Sequence, residues 1–167
     1  ASRPAVAVLP FQDLSGDPEQ EYFSDAISAD IISALSKHRW IQVVARNTTF
    51  GYKGRPIGSR QLMEELGVKY VVEGSVRRAG DRIRVSVQLL DATADAQIWA
   101  ERYDRGMEDV FAVQDEITHA VVAALAGLTP RFGAPVQDFQ RARPIRNRDF
   151  LFRVGDITRN FVDEFLD

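Results

Sequence analysis

The arrangement of apolar and polar positions predicts strands and helices in alternation over the first part of the chain. Two unbroken apolar runs, AVAVLPF at residues 5–11 and IQVVAR at residues 41–46, are typical of strands buried on both faces. Between them, apolar residues recur every three or four positions from Tyr22 to His38, which predicts an amphipathic helix. Asp17 followed by Pro18 favours a capped helix start, because the carboxylate accepts a backbone hydrogen bond and proline presets the first turn.

A polar stretch and a short helix are predicted next. Residues 47–59 are polar and glycine-rich, and we interpret them as a loop. SRQLMEELG at residues 59–67 predicts a short helix that Ser59 caps and Gly67 ends.

The following strands are predicted to be joined by hairpins. A third apolar strand ends in a turn at residues 79–81. Apolar and polar residues then alternate over residues 82–89, so one face of the sheet is expected to be solvated. A further strand, IWAERYD at residues 98–104, precedes a helix predicted from Asp109 to Ala126.

These elements have the order β-α-β-α-β-β-β-α, which predicts an α/β fold. Strands joined through helices are parallel with right-handed crossovers, whereas strands joined by hairpins are antiparallel. The sequence therefore predicts a three-layer α/β/α domain over residues 1–127, with a five-stranded mixed sheet. Residues 128–149 are rich in proline and arginine and are interpreted as a linker, and residues 150–167 as a C-terminal amphipathic helix.

Composition restricts the possible chemistry. The 167 residues carry a formal net charge of -3 and contain no cysteine. Disulfides, thiolate nucleophiles and cysteine-ligated metals are therefore excluded, and the acidic balance gives no ground for nucleic-acid binding. Because the chain enters its first strand within a few residues, we expect it to be part of a longer polypeptide. Any membrane contact is then expected from segments outside it.

The loop between the first strand and the first helix offers a candidate site. Asp13, Ser15 and Asp17 alternate as oxygen ligands around a single glycine, Gly16. Two carboxylates would repel a phosphate, and the spacing does not fit an EF-hand, which needs glycine at its sixth position and glutamate at its twelfth. A turn that caps the next helix is the favoured interpretation, and a role as one wall of a ligand cleft stays open.

No catalytic constellation, metal site or cofactor is predicted. His38 and His119 are interpreted as surface residues on helices, and the G-x-S-x-G nucleophile motif does not occur. The adjacent carboxylates Glu64 and Glu65 point in different directions on a helix, so they do not form a catalytic pair.

Two further stretches are candidate sites for a ligand or a partner. The first follows a parallel strand, at the edge where open α/β sheets bind ligands, and it consists of Arg46, Asn47, Thr48, Tyr52 and Lys53. The second lies on a late strand and combines residue types favoured at protein interfaces, namely Trp99, Arg102 and Tyr103. A hydrogen-bonded loop and a core position with a polar rim are the respective alternatives.

Segments spread over residues 4–126 carry a family resemblance. VAVLPFQDLSGDPEQEYFSDAISADIISALS, VVARNTTFGYKG, LGVKYVVEGSVRRAGDRIRVSVQLLDATADAQIWAERYDR and FAVQDEI resemble the TolB amino-terminal-like module of bacterial regulatory proteins. In that family the module commonly follows a class III adenylate cyclase domain or a winged-helix DNA-binding domain, and it precedes tetratricopeptide repeats. The resemblance implies a three-layer fold of the anticodon-binding-domain-like kind and a non-catalytic role.

The residues and the resemblance together predict a sensor or protein-interaction module of a multidomain signalling protein. An adenylate cyclase, with cyclic AMP as its product, is the first choice for the parent protein. The alternatives are a small-ligand-binding domain, with its pocket at the C-terminal ends of the parallel strands, and the periplasmic sensor part of a winged-helix transcription regulator. Expected partners are neighbouring domains, another protein, or a second copy through residues 150–167. The expected location is the periplasmic or the cytoplasmic face of a membrane-anchored bacterial protein, and the resemblance favours the periplasmic face.

Overall fold

Residues 3–128 are described by the computed structural model, and their strands form one mixed sheet. The strands are β1 (Ala5–Val8), β2 (Gln12–Asp13), β3 (Gln42–Val43), β4 (Tyr70–Ala79), β5 (Arg82–Asp91) and β6 (Ala96–Gly106). The helices are α1 (Pro18–Ser36), α2 (Arg46–Phe50), α3 (Ser59–Leu66) and α4 (Val110–Leu128), and a 3-10 turn, Met107–Asp109, precedes α4.

The sheet has the strand order β3-β1-β4-β5-β6, and β2 pairs with β4 beyond the end of β1. β1 is parallel to β3 and β4, whereas β4, β5 and β6 form an antiparallel meander. The predicted mixed α/β sheet is therefore confirmed, with the parallel strands joined through helices. The sheet differs from the prediction in having a sixth strand, because the two-residue strand β2 adds to the expected five.

Helices cover the two faces of the sheet unequally. α1 and α4 pack together on one face over the main core, which includes Ile31, Leu35, Val85 and Ile117. On the other face, α3 covers only β1 and the beginning of β4, through a small cluster centred on Leu62. The remaining part of this second face, over β4, β5 and β6, carries no helix among the described residues, and polar side chains lie there.

The start of α1 confirms the predicted cap. Asp17 is the N-cap residue, its Oδ1 accepts a hydrogen bond from the backbone N–H of Glu19 at 3.0 Å, and Pro18 is the first helical residue. The helix therefore begins four residues earlier than Tyr22, because the cap rather than the first apolar residue sets its start.

Several other boundaries differ from the sequence-based expectation. The first part of the predicted loop over residues 47–59 is helical and belongs to α2. The predicted strand over residues 41–46 is reduced to β3, because α2 begins three residues after β3 ends. Ser59 lies inside α3 and donates to Asp95 Oδ1 at 2.9 Å, so it is not the cap. Gly67 does end α3, in a left-handed conformation with φ of 70°, as predicted.

Helix α4 with its preceding turn, Met107–Leu128, is long and apolar enough by length and composition to cross a membrane. Half of its most apolar window is buried within the fold, where Val113, Ile117 and Val121 contribute to the main core. A core helix passes the same test, so this segment is weak support for a membrane span. The predicted linker and C-terminal helix, residues 128–149 and 150–167, lie outside the described residues except for Leu128.

Candidate ligand groove on the open face of the sheet

An open groove of about 1130 Å³ lies on the part of the sheet that α3 leaves uncovered. Its floor is formed by residues 73–75 of β4, 86–88 of β5 and 100–102 of β6. Residues 52–58, which join α2 to α3, line one side, and Leu9, Pro10 and Gln12 line the groove at the end of β1. The groove thus begins at the C-terminal end of a parallel strand and continues across the antiparallel meander.

The floor of the groove carries polar side chains in register across neighbouring strands. Glu73 lies opposite Gln88, and Gln88 Nε2 donates to Glu73 Oε2 at 2.8 Å. In the next row, Ser75 lies opposite Ser86, and Ser86 lies opposite Arg102. Burial raises the pKa of Glu73, although the hydrogen bond from Gln88 acts in the opposite direction. The floor therefore presents a partly desolvated carboxyl at one end and a guanidinium at the other.

Arginine side chains surround a buried carboxylate on the same face of the sheet. The side chain of Asp104 is 3% exposed, with Arg82 Nη2 at 3.3 Å and Arg84 Nη2 at 3.7 Å from its carboxylate oxygens. Burial lowers the pKa of Arg102, and the neighbouring positive charge of Arg84 lowers it further. Of these arginines, Arg102 lines the groove, and its guanidinium favours ligand groups that are negatively charged or that accept hydrogen bonds.

Tyr52 and Lys53 hold the side of the groove against helices on opposite faces of the sheet. Tyr52 Oη donates to Glu65 Oε2 of α3 at 2.6 Å, and this bond raises the pKa of the tyrosine. Lys53 Nζ contacts Asp25 Oδ2 at 2.5 Å and Glu21 Oε1 at 2.7 Å, both on α1. Burial lowers the pKa of Lys53, but the hydrogen bonds with these carboxylates outweigh burial and raise it overall. Both side chains line the groove, but their polar ends are bonded to other residues of the same chain.

The Asp13, Ser15 and Asp17 loop forms a turn, as the favoured interpretation predicted. Asp13 Oδ1 accepts from the backbone N–H of Ser15 at 2.8 Å, Asp17 caps α1, and Ser15 Oγ accepts from the backbone N–H of Arg78 at 3.0 Å. These residues do not line the groove. Among the described residues, no group of three or more histidine, cysteine, aspartate or glutamate side chains is arranged to hold a metal ion.

Arg46, Asn47 and Thr48 lie in α2 and are exposed, and they do not line the groove. The guanidinium of Arg46 stacks over the ring of Phe50 at 5.0 Å. Their binding role stays a prediction, and the structure separates them from Tyr52 and Lys53, which line the groove.

The predicted interface set of Trp99, Arg102 and Tyr103 is divided by the alternation of β6. Trp99 and Tyr103 are each 2% exposed and lie in the main core, beneath the α1–α4 layer, so their assignment to a partner-binding surface was wrong. Tyr103 Oη donates to Glu101 Oε2 at 3.0 Å, and burial raises the pKa of Tyr103. Arg102 points to the opposite face and lines the groove.

Sequence reasoning missed Glu73, Gln88, Ser75 and Ser86 as groove residues. A signal was present, since the alternation over residues 82–89 predicted a solvated sheet face and placed Ser86 and Gln88 on it. The turn at residues 79–81 also sets the register that brings Glu73 opposite Gln88. The local sequence pattern did not indicate, however, that residues 52–58 line one side of the groove.

Two sequence comparisons relate the chain to a family of transcriptional regulators and to a bacterial protein named as an adenylate cyclase. Residues 2–120 match the sequence model of a family described as HilA/YgeH-like transcriptional regulator, second domain. The chain is also 56% identical over 124 residues to a protein named putative adenylate cyclase 3 from Rhizobium meliloti (strain 1021). The match covers 74% of this chain and 21% of that protein, so the chain spans about a fifth of this relative's length.

Two solved structures share the fold at low sequence identity. TolB from Acinetobacter baumannii matches with a TM-score of 0.56 and 17% identity, over 76% of this chain and 29% of that chain. Lipoprotein GNA1162 from Neisseria meningitidis matches with a TM-score of 0.51 and 17% identity, over 61% of this chain and 79% of that chain. At this identity the likeness shows the fold alone, and it agrees with the observed mixed sheet.

Proposed function

The chain belongs to the family of second domains of HilA/YgeH-like transcriptional regulators, and from this premise we propose that it is a non-catalytic regulatory module of a longer bacterial signalling protein. One observation carries the proposal. A domain of this family also forms about a fifth of a protein named as an adenylate cyclase, at 56% identity. Transcription regulators and cyclases differ in the output that they produce, so a domain common to both is best explained as a regulator of that output.

Within this proposal, the parent protein is an adenylate cyclase and the module is of the TolB amino-terminal-like kind. The identity to the Rhizobium protein favours the cyclase over a transcription regulator. The module then passes a signal on by changing its contacts with neighbouring domains. We place it on a membrane face, periplasmic rather than cytoplasmic.

The absence of catalysis in the chain itself is tested with ATP. The purified 167-residue chain, supplied with ATP and Mg²⁺ or Mn²⁺, should form no cyclic AMP above a heat-denatured control. Formation of cyclic AMP in proportion to the folded chain would overturn the non-catalytic assignment.

The regulatory role is tested in the full-length parent protein. Deleting residues 3–128 should leave its output measurable while changing how that output responds to the stimulus. An output and a response that both match those of the intact protein would contradict the proposal.

Fusing the chain, with its native upstream sequence, to a reporter that works only outside the cytoplasm tests the periplasmic location, and a silent reporter would contradict it.

A second candidate function is the binding of a small ligand in the groove. The specific observation is a floor that presents Glu73 and Arg102 beside the turn of residues 52–58. These groups suit a ligand with a hydrogen-bond donor at one end and an anionic group at the other.

A thermal-shift screen of small amino acids, nucleotides and carboxylates separates the two functions. A ligand at 100 times its Kd stabilises the folded chain by about 2.7 kcal/mol, which is readily measured. The shift should be lost in Arg102→Ala and kept in Arg60→Ala, an exposed arginine on α3 that does not line the groove. A shift that survives Arg102→Ala would place the ligand elsewhere.

A further inference from the structure

Strand β6 forms a long edge of the sheet. It runs over 11 residues, Ala96–Gly106, and within the part of the chain that the structure describes it pairs with β5 alone. The opposite edge strand, β3, has only two residues. A long edge presents a row of backbone N–H and C=O groups on which another strand can pair.

The hydrogen bonds between β5 and β6 show which backbone groups face outwards. Met107 N donates to Asp81 O at 2.6 Å, at the position that continues the ladder between the two strands. Because backbone groups alternate in direction along a strand, those of Arg105 and Tyr103 also face β5. The N–H and C=O groups of Arg102 and Asp104 therefore face away from β5, toward the edge.

The charges along this edge are complementary to themselves. Residues 101–105 read Glu-Arg-Tyr-Asp-Arg, with Tyr103 at the centre. If two copies of β6 pair antiparallel about a two-fold axis at Tyr103, Arg102 of each copy lies opposite Asp104 of the other. In the same register Glu101 lies opposite Arg105. Both cross-strand pairs then join opposite charges, and a shift of the axis by one position to Arg102 would place Arg102 opposite itself.

The surroundings of Asp104 agree with this register. Its Oδ2 atom is buried and has no hydrogen-bond partner among the described residues, and Arg84 Nη2 lies 3.7 Å from it. Pairing through the edge would bring the guanidinium of Arg102 from the second copy to the same face of the sheet. The buried carboxylate then gains a further donor.

We propose that β6 is a dimerisation edge, at which two copies of this chain join their sheets in antiparallel register about Tyr103. Two-fold symmetry makes such an interface isologous, so each charge pair occurs twice. The two Arg102–Asp104 pairs each exchange two backbone hydrogen bonds, which adds to the charge pairing. The proposal rests on the sheet and its charges, and it holds whichever output the parent protein controls.

The test measures the mass of the full 167-residue chain across a wide range of protein concentrations by analytical ultracentrifugation. A monomer–dimer equilibrium is expected, and it should weaken at high salt. In Arg102→Glu, a glutamate lies opposite Asp104 of the other copy in each of the two symmetry-related pairs. Because like charges repel, we expect the dimer dissociation constant to rise on the order of tenfold or more. Arg60→Glu makes the same charge change on α3, outside residues 101–105, and should leave the dissociation constant unchanged.

A charge exchange tests the register itself. Glu101→Arg and Arg105→Glu should each weaken the dimer, and the double variant E101R/R105E should restore it, because the opposite charges face each other again. Circular dichroism spectra and melting temperatures confirm that each variant is folded, and Arg102→Glu with its control decides the matter if the double variant is not.

Three results would overturn the proposal. A chain that is monomeric at every concentration shows that the edge is left unpaired or is covered by another part of the same chain. A dimer that tolerates Arg102→Glu but disappears when residues 150–167 are removed belongs to the C-terminal segment. A double variant that is folded yet remains weakened shows that the register about Tyr103 is wrong.

Discussion

Gly74 of β4 lies against the ring of Phe11. A Cβ atom placed on Gly74 would lie 2.6 Å from Phe11 Cε2 and 2.7 Å from the carbonyl oxygen of Ser86. Phe11 is buried, and its backbone N–H donates to Ser28 Oγ of α1 at 2.8 Å. The missing side chain at residue 74 therefore allows the segment between β1 and β2 to pack closely on the sheet.

Replacing Gly74 by alanine should destabilise the fold. The new methyl group meets a buried ring and a backbone oxygen of the adjacent strand, and neither can move without disturbing the core. We expect the free energy of unfolding to fall by about 1–3 kcal/mol, the usual cost of overpacking. Urea denaturation measures the change. Gly127→Ala is the control, since a Cβ there meets nothing within 4 Å, and it should cost little or add stability.

Lys53 joins the turn beside the groove to α1, and Lys53→Met should weaken this connection. The variant leaves Asp25 and Glu21 without their shared cation. Because the lysine side chain is 34% exposed, we expect a modest loss, about 0.5–1 kcal/mol at neutral pH. Lys37→Met, at an exposed position after α1, should change stability less. Equal losses in the two variants would show that the contacts of Lys53 contribute nothing specific.

The pH dependence of the Lys53 contacts follows from the pKa of the lysine, which is raised in the folded state. Because the protonated lysine favours folding, its contacts contribute fully to the free energy of unfolding below the unfolded-state pKa. It is lost as the pH rises through the folded-state pKa. The difference in unfolding free energy between the wild type and Lys53→Met should therefore be constant near neutrality and shrink at strongly alkaline pH.

Local sequence signals were sufficient for most of the elements and insufficient for the side of the groove. The cap at Asp17, the helix end at Gly67 and the alternation of β5 each depend on residues close in the chain, so they were predictable. Helix α2 was not, because it has no side-chain cap and no apolar repeat. Thr49 is the buried residue of α2, and its burial is decided by the packing around the helix and not by the local sequence.

The side of the groove depends on contacts between residues distant in sequence. Lys53 reaches Asp25 across 28 positions, and Tyr52 reaches Glu65 in another helix. Nothing in the local pattern of residues 47–59 shows which helices the turn contacts. Similarly, burial of Trp99 and Tyr103 requires knowing which face of β6 meets α1 and α4, and a single strand does not show this.

The carboxylate of Glu73 should lower the free energy of unfolding at neutral pH, and Glu73→Gln should raise it. Burial raises the pKa of Glu73 in the folded state, so the neutral acid is favoured there. Relative to acidic solution, the wild type loses stability as the pH rises from the unfolded-state pKa through the folded-state pKa. The amide that the substitution introduces avoids this loss and can still pair with Gln88.

Urea denaturation of Glu73→Gln at a series of pH values checks this expectation. The variant should exceed the wild type by about 0.5–1 kcal/mol at pH 7, and the difference should disappear in acid, where Glu73 is protonated in both states. Glu64→Gln, at an exposed position on α3, is the control for the same change of side chain. A variant less stable than the wild type at pH 7 would show that the carboxylate is favoured where it lies.

The buried carboxylate of Asp104 forms ion pairs with Arg82 and Arg84 on the open face of the sheet. Asp104→Asn should therefore be markedly destabilising. The amide keeps the shape of the buried side chain but removes the charge that compensates Arg82 and Arg84. Because the removal of one partner leaves the other charges uncompensated, we expect a loss of about 1–3 kcal/mol. Adding Arg84→Gln should recover part of it, since the repulsion then falls, and a double-mutant cycle measures the coupling. Asp30→Asn on the exposed side of α1 provides the control, and equal effects at the two positions would show that the arginines do not need this carboxylate.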